Sequence, residues 1–284
     1  MARTSQPSHS FSSIFFAYVQ LIRPLNAVMS AIGVYLGYAL STQTILFNGA
    51  IAYAMLAVMC ISGAGQVIND FFDYEIDKKK KSTRALASGK ISRTNGFIFS
   101  MTLFVLGILL ASFLNDAAFW MAVFFSALLF LYSASMSGIK FVGNALVALS
   151  VGFTFIFGAS VNAITPLVLM IAFSAFLANW AREIMKDVED KHADAGVKLT
   201  LPLLLSPART SFIILTLLFF TILSGYLPTI FGKANAFYSI LVSGANVVFI
   251  LAGKKILANH AKEAQSMMKK AMLVALVAAA SLLV

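Results

Sequence analysis

Nine apolar stretches, each long enough to cross a bilayer, follow one another along this 284-residue chain. A transmembrane helix needs about 20 mostly apolar residues. Backbone N–H and C=O groups find no water inside a bilayer, so such segments must satisfy them within helices. We therefore predict an all-α, polytopic membrane protein of about nine transmembrane helices around a central cavity. The predicted spans are 14–40, 46–72, 95–114, 117–136, 141–161, 165–188, 208–230, 235–253 and 268–284.

The composition supports a membrane protein, since 60% of the residues are hydrophobic and 11% are charged, against about 25% charged in soluble domains. The basic residues lie at the ends of apolar segments, so topology and phospholipid contact explain the net charge of +10 and no nucleic acid is expected. The single cysteine, Cys60, excludes an intrachain disulfide. We predict a disordered cytoplasmic segment at 1–13, which lacks the features of a signal peptide, and one domain over 14–284.

Lysine and arginine also predict the orientation of the chain. If the N-terminus is cytoplasmic, all of the 21 basic residues except Lys233 face inward. Cytoplasmic loops of membrane proteins carry such an excess of positive charge. The pattern predicts a multi-pass protein of the cell membrane with its N-terminus and active site in the cytoplasm. Two acidic motifs then lie at the cytoplasmic ends of helices 2 and 6.

The first acidic motif consists of Asp70, Asp73 and Asp77, spaced i, i+3 and i+7. On an α-helix they fall within about 60° of one face. Carboxylates stacked this way repel one another unless cations lie between them. Mg²⁺ suits such hard oxygen ligands, and it commonly binds substrate phosphates as well. Seven basic residues follow within 78–93, which indicates a site for a diphosphate substrate.

The second acidic motif consists of Glu183, Asp187, Asp190 and Asp194, again on one helical face. Nine of the chain's 11 acidic residues lie within 70–77 and 183–194, since Glu75 and Glu189 lie there as well. Such acids could instead form a solvated face balanced by lysines, or the ion path of a divalent-cation transporter. They gather at one membrane face and no span carries a midplane carboxylate, which disfavours transport.

Further motifs accompany the acids: RPxN at 23–26, YS at 132–133 and GN at 143–144. By themselves, Arg23 could snorkel to the interface or face a polar cavity, and Tyr132 and Ser133 could serve as interface anchors. Together with NDxxDxxxD at 69–77 and KDVEDKHAD at 186–194, however, they resemble the UbiA superfamily of intramembrane prenyltransferases over about the whole chain.

Within the superfamily, VINDFFDYEIDK, SGKIS and REIMKDVEDK are most similar to archaeal digeranylgeranylglyceryl phosphate synthases. The chain departs from that subgroup at Ala85 and Ala87, where prolines are usual. The resemblance implies Mg²⁺-dependent transfer of a geranylgeranyl group from its diphosphate to the sn-2 hydroxyl of geranylgeranylglyceryl phosphate in ether-lipid synthesis. The alternative acceptor is an aromatic quinone precursor such as 4-hydroxybenzoate. The expected partners are the prenyl diphosphate, a lipid or aromatic acceptor and membrane lipid, and the oligomeric state stays open.

The resemblance and the chemistry together assign roles to individual residues. Asp70 and Glu183 are both candidates for the base that takes the acceptor's proton. The predicted catalytic residues are Asp70, Asp73, Asp77, Asp190 and Asp194. The predicted Mg²⁺ ligands are Asn69, Asp70, Asp73, Asp77, Asp187, Asp190 and Asp194. The predicted substrate-binding residues are Arg23, Asn26, Asn69, Arg84, Lys90, Tyr132, Lys140, Asn144, Arg182, Glu183 and Asp187.

Overall fold

The computed structural model describes residues 11–79, 83–136, 140–196 and 198–284, and these residues form helices and no β-strand. At 11, 136, 140 and 193 it describes the backbone alone. The helices are α1 (Phe11–Leu21), α2 (Pro24–Thr42), α3 (Gly49–Phe72), α4 (Tyr74–Lys79), α5 (Arg93–Ser112), α6 (Asp116–Met136), α7 (Lys140–Ser160), α8 (Pro166–Glu189), α9 (Lys191–Asp194), α10 (Leu201–Leu204), α11 (Pro207–Gly225), α12 (Leu227–Ile230), α13 (Ala236–Leu257), α14 (Ala261–Ala280) and a 3-10 turn (Ser281–Leu283).

Nine segments of the described chain are long and apolar enough to cross a membrane, which confirms the predicted number of spans. They comprise α2, α3, α5, α6, α7, α8, α11 with α12, α13, and α14 with the 3-10 turn. Most predicted boundaries are accurate to a few residues. The ninth span begins at Ala261 instead of 268, because α14 starts before the apolar run and its first turn is polar.

The predicted first span is wrong at its N-terminal end, because the helix breaks at Arg23. Arg23 adopts a left-handed conformation with φ of 49°, and Pro24 opens α2. Proline disfavours the α conformation in the residue before it, so a helix usually ends at that point. The preceding residues form the separate helix α1. Of the predicted disordered segment, residues 1–10 lie outside the described chain, whereas 11–13 begin α1.

The helices pack into one bundle, in which α2 and α8 each contact several other helices. Helix α2 packs between α3 and α7, and α8 packs against α7, α11 and α14. One apolar core lies among α2, α3, α5 and α6, and another lies among α8, α11, α13 and α14. A third core, with residues from α2, α7, α8, α13 and α14, connects them.

Glycines allow α2 and α7 to approach closely. A Cβ atom placed on Gly37 would collide with the backbone of Phe155, and one on Gly158 would collide with the backbone of Val34. Small residues at such positions let membrane helices pack backbone to backbone. Near the ends of the two helices, Asn162 donates a hydrogen bond to the Ser41 hydroxyl at 3.0 Å. The beginnings of α2 and α7 therefore share the other end of the bundle, where α3 and α8 terminate.

Candidate active site

Asp70, in the last turn of α3, receives two arginine side chains. Arg23 Nη2 lies 2.9 Å and Arg84 Nη1 lies 3.0 Å from Asp70 Oδ1. Arg84 Nη1 also lies 2.7 Å from Asp77 Oδ2. Burial lowers the pKa of Arg84, but the charges of Asp70 and Asp77 outweigh that effect and raise it overall. The break before Pro24 thus places Arg23 at the first acidic motif, and the loop after α4 contributes a guanidinium that stays charged.

Asp73 ends α3 and is almost fully buried. Its N–H donates to the Asn69 carbonyl at 2.9 Å, and its side chain is 1% exposed. Asp73 Oδ2 accepts from Asn69 Nδ2 at 3.2 Å and from Lys198 Nζ at 2.6 Å. Oδ1 of Asp73 has no hydrogen-bond partner among the described residues. One buried carboxylate oxygen is therefore available for a further ligand.

The second acidic motif is built like the first one. Asp190 ends α8 as Asp73 ends α3, and both precede a short helix that carries another buried aspartate. The N–H of Asp194 donates to the Asp190 carbonyl at 3.0 Å, and that of Asp77 donates to the Asp73 carbonyl at 2.8 Å. One residue separates each long helix from the short helix that follows it. The predicted acidic face nevertheless continues into the short helix, because these hydrogen bonds keep the α-helical spacing of four residues.

Helix α7 supplies a neutral partner to the second motif. Asn144 Nδ2 donates to Asp187 Oδ2 at 2.6 Å, and both side chains are buried. The hydroxyl of Tyr132, on α6, lies against Gly143, where a Cβ atom would collide with it. The YS and GN motifs are therefore adjacent, and they lie beside the end of α8.

Lys198 is a site residue that the sequence pattern did not reveal, since along the chain it is one of several basic residues after α8. Its backbone N–H donates to the Asp194 carbonyl at 3.1 Å, while its ammonium group contacts Asp73. One residue thus ties the second acidic motif to the first one. A pairing between residues 125 positions apart leaves no local sequence pattern that could have revealed it.

Arg182 and Glu183 form a separate polar group on α8, together with a second residue that the sequence pattern did not single out. Arg182 Nη1 lies 3.0 Å from Glu183 Oε1 and donates to Asn179 Oδ1 at 3.0 Å. Asn179 is 2% exposed. A signal existed for this residue, because 179, 183 and 187 continue the four-residue spacing of the acidic face.

The remaining predicted residues lie at the edge of the described site or outside it. Asn26 and Lys90 are exposed, and no side-chain hydrogen bond to another site residue is described for either. The side chain of Lys140 lies outside the described part of the chain, as do Lys80 and Lys81 of the basic loop. The roles assigned to these residues stay predictions.

Four of the predicted metal ligands, Asp70, Asp73, Asp77 and Asp187, contact cationic or amide side chains. In the described ranges, no three acidic, histidine or cysteine side chains converge on one point. Mg²⁺ does not need such a cage, since it retains waters and binds through one or two carboxylates plus substrate phosphates. The unpartnered oxygen of Asp73 and the carboxylates of both motifs supply ligands of the type that Mg²⁺ prefers. The residues present fit a magnesium-assisted phosphate site.

The fold and this site define a polytopic helical membrane protein with two matched carboxylate motifs at one end of the bundle. Residues 30–277 match the model of the UbiA prenyltransferase family, and the chain belongs to that family. The protein is therefore a prenyltransferase.

Relatives and solved structures agree with this assignment. The chain is 33% identical over 265 residues to digeranylgeranylglyceryl phosphate synthase of Methanopyrus kandleri, an alignment that covers 92% of this chain and 97% of the relative. A solved structure reported for digeranylgeranylglyceryl phosphate synthase in membranes superposes with a TM-score of 0.82 and 29% identity, covering 94% and 97% of the two chains. A UbiA homologue from Archaeoglobus fulgidus, bound to GPP and Mg²⁺, shares the fold with a TM-score of 0.67 and 18% identity, covering 91% and 99%.

Proposed function

We propose that this prenyltransferase transfers a geranylgeranyl group from geranylgeranyl diphosphate to the sn-2 hydroxyl of geranylgeranylglyceryl phosphate, and that it requires Mg²⁺. The similarity to an enzyme named digeranylgeranylglyceryl phosphate synthase, over nearly the full length of both chains, supports the lipid acceptor. The observation that carries the donor assignment is the contact of the buried carboxylates Asp70 and Asp77 with the partly exposed guanidinium of Arg84 at one end of a transmembrane bundle.

The first motif is suited to bind the diphosphate of the donor. Asp70, Asp73 and Asp77 with Asn69, and Asp187, Asp190 and Asp194 opposite them, would hold Mg²⁺, which neutralises the charge that develops on the leaving diphosphate. The cationic side chains now paired with these acids are Arg23, Arg84 and Lys198. When substrate binds, they are in position to donate hydrogen bonds to phosphate oxygens, and arginine can do so with two bonds.

The bundle is suited to keep water away from the allylic carbon. Loss of diphosphate from C1 leaves an allylic cation, which water would capture as an alcohol. Apolar cores reach the carboxylate ends of α3 and α8, where Ile68 and Met185 are fully buried, and exclusion of water protects such intermediates. The acceptor oxygen then forms the new C–O bond at C1 and its proton passes to a neighbouring carboxylate.

We further propose that the acidic motifs face the cytoplasm in the cell membrane. The distribution of basic residues supports this orientation, since Lys233 alone lies on the opposite side in the nine-span arrangement. Both substrates carry apolar tails, which would stay in the bilayer while their phosphates reach the site.

The test is incubation of the purified protein with radiolabelled geranylgeranyl diphosphate, Mg²⁺ and geranylgeranylglyceryl phosphate. The expected product is a diether lipid whose new ether is at the sn-2 position, assigned by NMR. Release of geranylgeraniol alone, with no labelled lipid, would contradict the acceptor. Unchanged geranylgeranyl diphosphate after prolonged incubation would contradict the whole proposal.

A further inference from the structure

One turn of α8 holds three buried N–H groups without a hydrogen-bond partner among the described residues. They are Nδ2 of Asn179, Nε1 of Trp180 and Nε of Arg182. The turn lies within the candidate span Pro166–Glu189, and Asn179 is 2% exposed. An unpaired buried donor destabilises the folded state, and native proteins contain few of them. Asn179 and Arg182 lie about 60° apart around the helix, so their two free donors indicate one missing acceptor atom, whereas Trp180 lies about 160° from Arg182.

The bonds that do form orient the free donors. Arg182 Nη1 donates a hydrogen bond to Asn179 Oδ1 at 3.0 Å. The amide nitrogen Nδ2 of Asn179 therefore points away from Arg182 Nη1. Arg182 Nη1 also lies 3.0 Å from Glu183 Oε1, which offsets the charge of that carboxylate. Nε of Arg182 and Nδ2 of Asn179 are left for another ligand. A guanidinium N–H with an amide N–H next to it suits an anionic oxygen, and phosphate above all.

The cations of the first motif are engaged by its own carboxylates. Arg23 and Arg84 contact Asp70, and Lys198 contacts Asp73. Among the described arginines predicted to bind substrate, Arg182 is the one whose contacts leave a buried donor unpaired. Arg182 therefore offers a buried donor that is separate from the three cations assigned to the donor's diphosphate.

The position of this turn suits the acceptor substrate. Asn179, Glu183 and Asp187 follow one face of α8 at intervals of four residues. Asp187 lies about 12 Å beyond Asn179 along the helix axis, so the unpaired donors lie deeper in the bundle than the acidic motif. If the diphosphate lies at the carboxylates, it occupies the outer side of C1, which leaves the deeper side open to the acceptor oxygen.

We propose that Asn179 and Arg182 bind the phosphate monoester of the acceptor lipid and so select a phosphorylated acceptor. This inference rests on the proposed function, because it assigns residues to the acceptor of that reaction. Neither the acidic motifs nor the prenyl diphosphate is needed to observe the binding itself.

Trp180, which follows Asn179 in the chain, offers a fluorescent reporter for the proposed subsite. Its ring centroid lies 5.3 Å from that of Phe176, and the chain has only two tryptophans. In a Trp120→Phe background, the emission of Trp180 is followed during titration in detergent. Geranylgeranylglyceryl phosphate should change it at concentrations at least tenfold lower than geranylgeranylglycerol or inorganic phosphate. Equal responses to the neutral lipid would overturn phosphate recognition, and equal responses to inorganic phosphate would overturn the assignment to a lipid acceptor.

Variants separate recognition from folding. Asn179→Asp keeps the shape of the side chain and replaces the free donor by a negative charge, and Arg182→Gln removes the cation. Each variant should raise the Kd for geranylgeranylglyceryl phosphate at least tenfold, or about 1.4 kcal/mol. The Kd for geranylgeranylglycerol should change less than twofold. Asn246→Asp is the matched control, since Asn246 is 4% exposed on α13 and its Nδ2 is also unpartnered in the described chain. Equal losses for both lipids would contradict the subsite.

Kinetics keep this inference separable from the proposed function. In Asn179→Asp and Arg182→Gln, the KM for the lipid acceptor should rise at least tenfold and that for geranylgeranyl diphosphate should change less than twofold. A rise confined to geranylgeranyl diphosphate would assign the pair to the donor and overturn the inference. If the wild type binds the phosphorylated lipid with the expected selectivity but transfers nothing to it, the subsite stands and the proposed function fails.

Discussion

The ammonium nitrogen of Lys198 lies 2.6 Å from Oδ2 of Asp73, so a residue of the second acidic stretch neutralises the central carboxylate of the first. Asp73 is 1% exposed and the lysine side chain is 15% exposed, which makes this a buried pair. In the absence of substrate the lysine balances a charge that would otherwise lie beside Asp70 and Asp77.

Lys198→Gln should destabilise the protein, because it leaves the buried carboxylate of Asp73 without its cation. Removing one partner of a buried pair costs about 3–5 kcal/mol. Thermal unfolding in detergent should show a lower Tm than for Lys191→Gln, a control with the same charge change in the same stretch. Adding Asp73→Asn to Lys198→Gln should restore part of the loss. A double variant whose destabilisation equals the sum of the single ones would argue against the coupling.

Removal of divalent metal should abolish prenyl transfer, because the carboxylates of the two motifs cannot bind a diphosphate without cations between them. Full turnover in EDTA would refute this.

Asp73→Ala and Asp190→Ala should each abolish transfer while the protein keeps its helical circular dichroism, because both residues lie at helix ends away from the apolar cores. Asp73→Ala should also lower the Tm, because it leaves Lys198 without its partner. The control Asn162→Ala, on the opposite end of the bundle, should retain transfer. Near-normal rates in either aspartate variant would show that the assigned ligands are wrong.

Gly37→Ala should destabilise the bundle, because its new methyl group would meet the backbone of Phe155 and force α2 and α7 apart. Overpacking of this kind costs about 1–3 kcal/mol. Gly244→Ala, on α13, is the matched control, since nothing lies within 4 Å of the added Cβ atom and alanine favours a helix. Thermal unfolding should give a lower Tm for Gly37→Ala and an equal or higher one for Gly244→Ala. Equal Tm values would rule out the close contact.

Single-cysteine labelling in intact cells tests the orientation. After Cys60→Ala, the variants Lys90→Cys and Arg209→Cys should react only when the cytoplasm is accessible, and Lys233→Cys should react from outside. All three positions are exposed, so access depends on the side of the membrane and not on burial. The reason is the positive-inside distribution of basic residues. Labelling of Lys90→Cys and Lys233→Cys from the same side is incompatible with nine spans in this arrangement.

Hydropathy and helical spacing predicted the span count and the acidic face well, because both depend on local sequence. Asp73 and Asp190 each end a helix, yet each stays on the same face as the other carboxylates of its own motif. The reason is that the backbone hydrogen bonds continue the four-residue spacing. The break at Arg23 was missed, although the following proline was a local signal for it.

Other features needed the three-dimensional contacts. The pairing of Lys198 with Asp73 depends on how α3 and the segment after α9 meet, and no pattern within either segment specifies it. Ala85 replaces an expected proline, yet it is buried with Leu86 and Ile91 against α1 and α3, so packing places the loop that carries Arg84. The unpaired donors near Asn179 became visible only when their surroundings were known.

Competition between two acceptors tests the central claim most directly. Purified protein, Mg²⁺ and limiting radiolabelled geranylgeranyl diphosphate are mixed with equal concentrations of geranylgeranylglyceryl phosphate and 4-hydroxybenzoate. The lipid should receive at least about ten times more label, equivalent to about 1.4 kcal/mol in transition-state binding. Preferential labelling of 4-hydroxybenzoate would contradict the lipid acceptor, while the chain would remain a prenyltransferase.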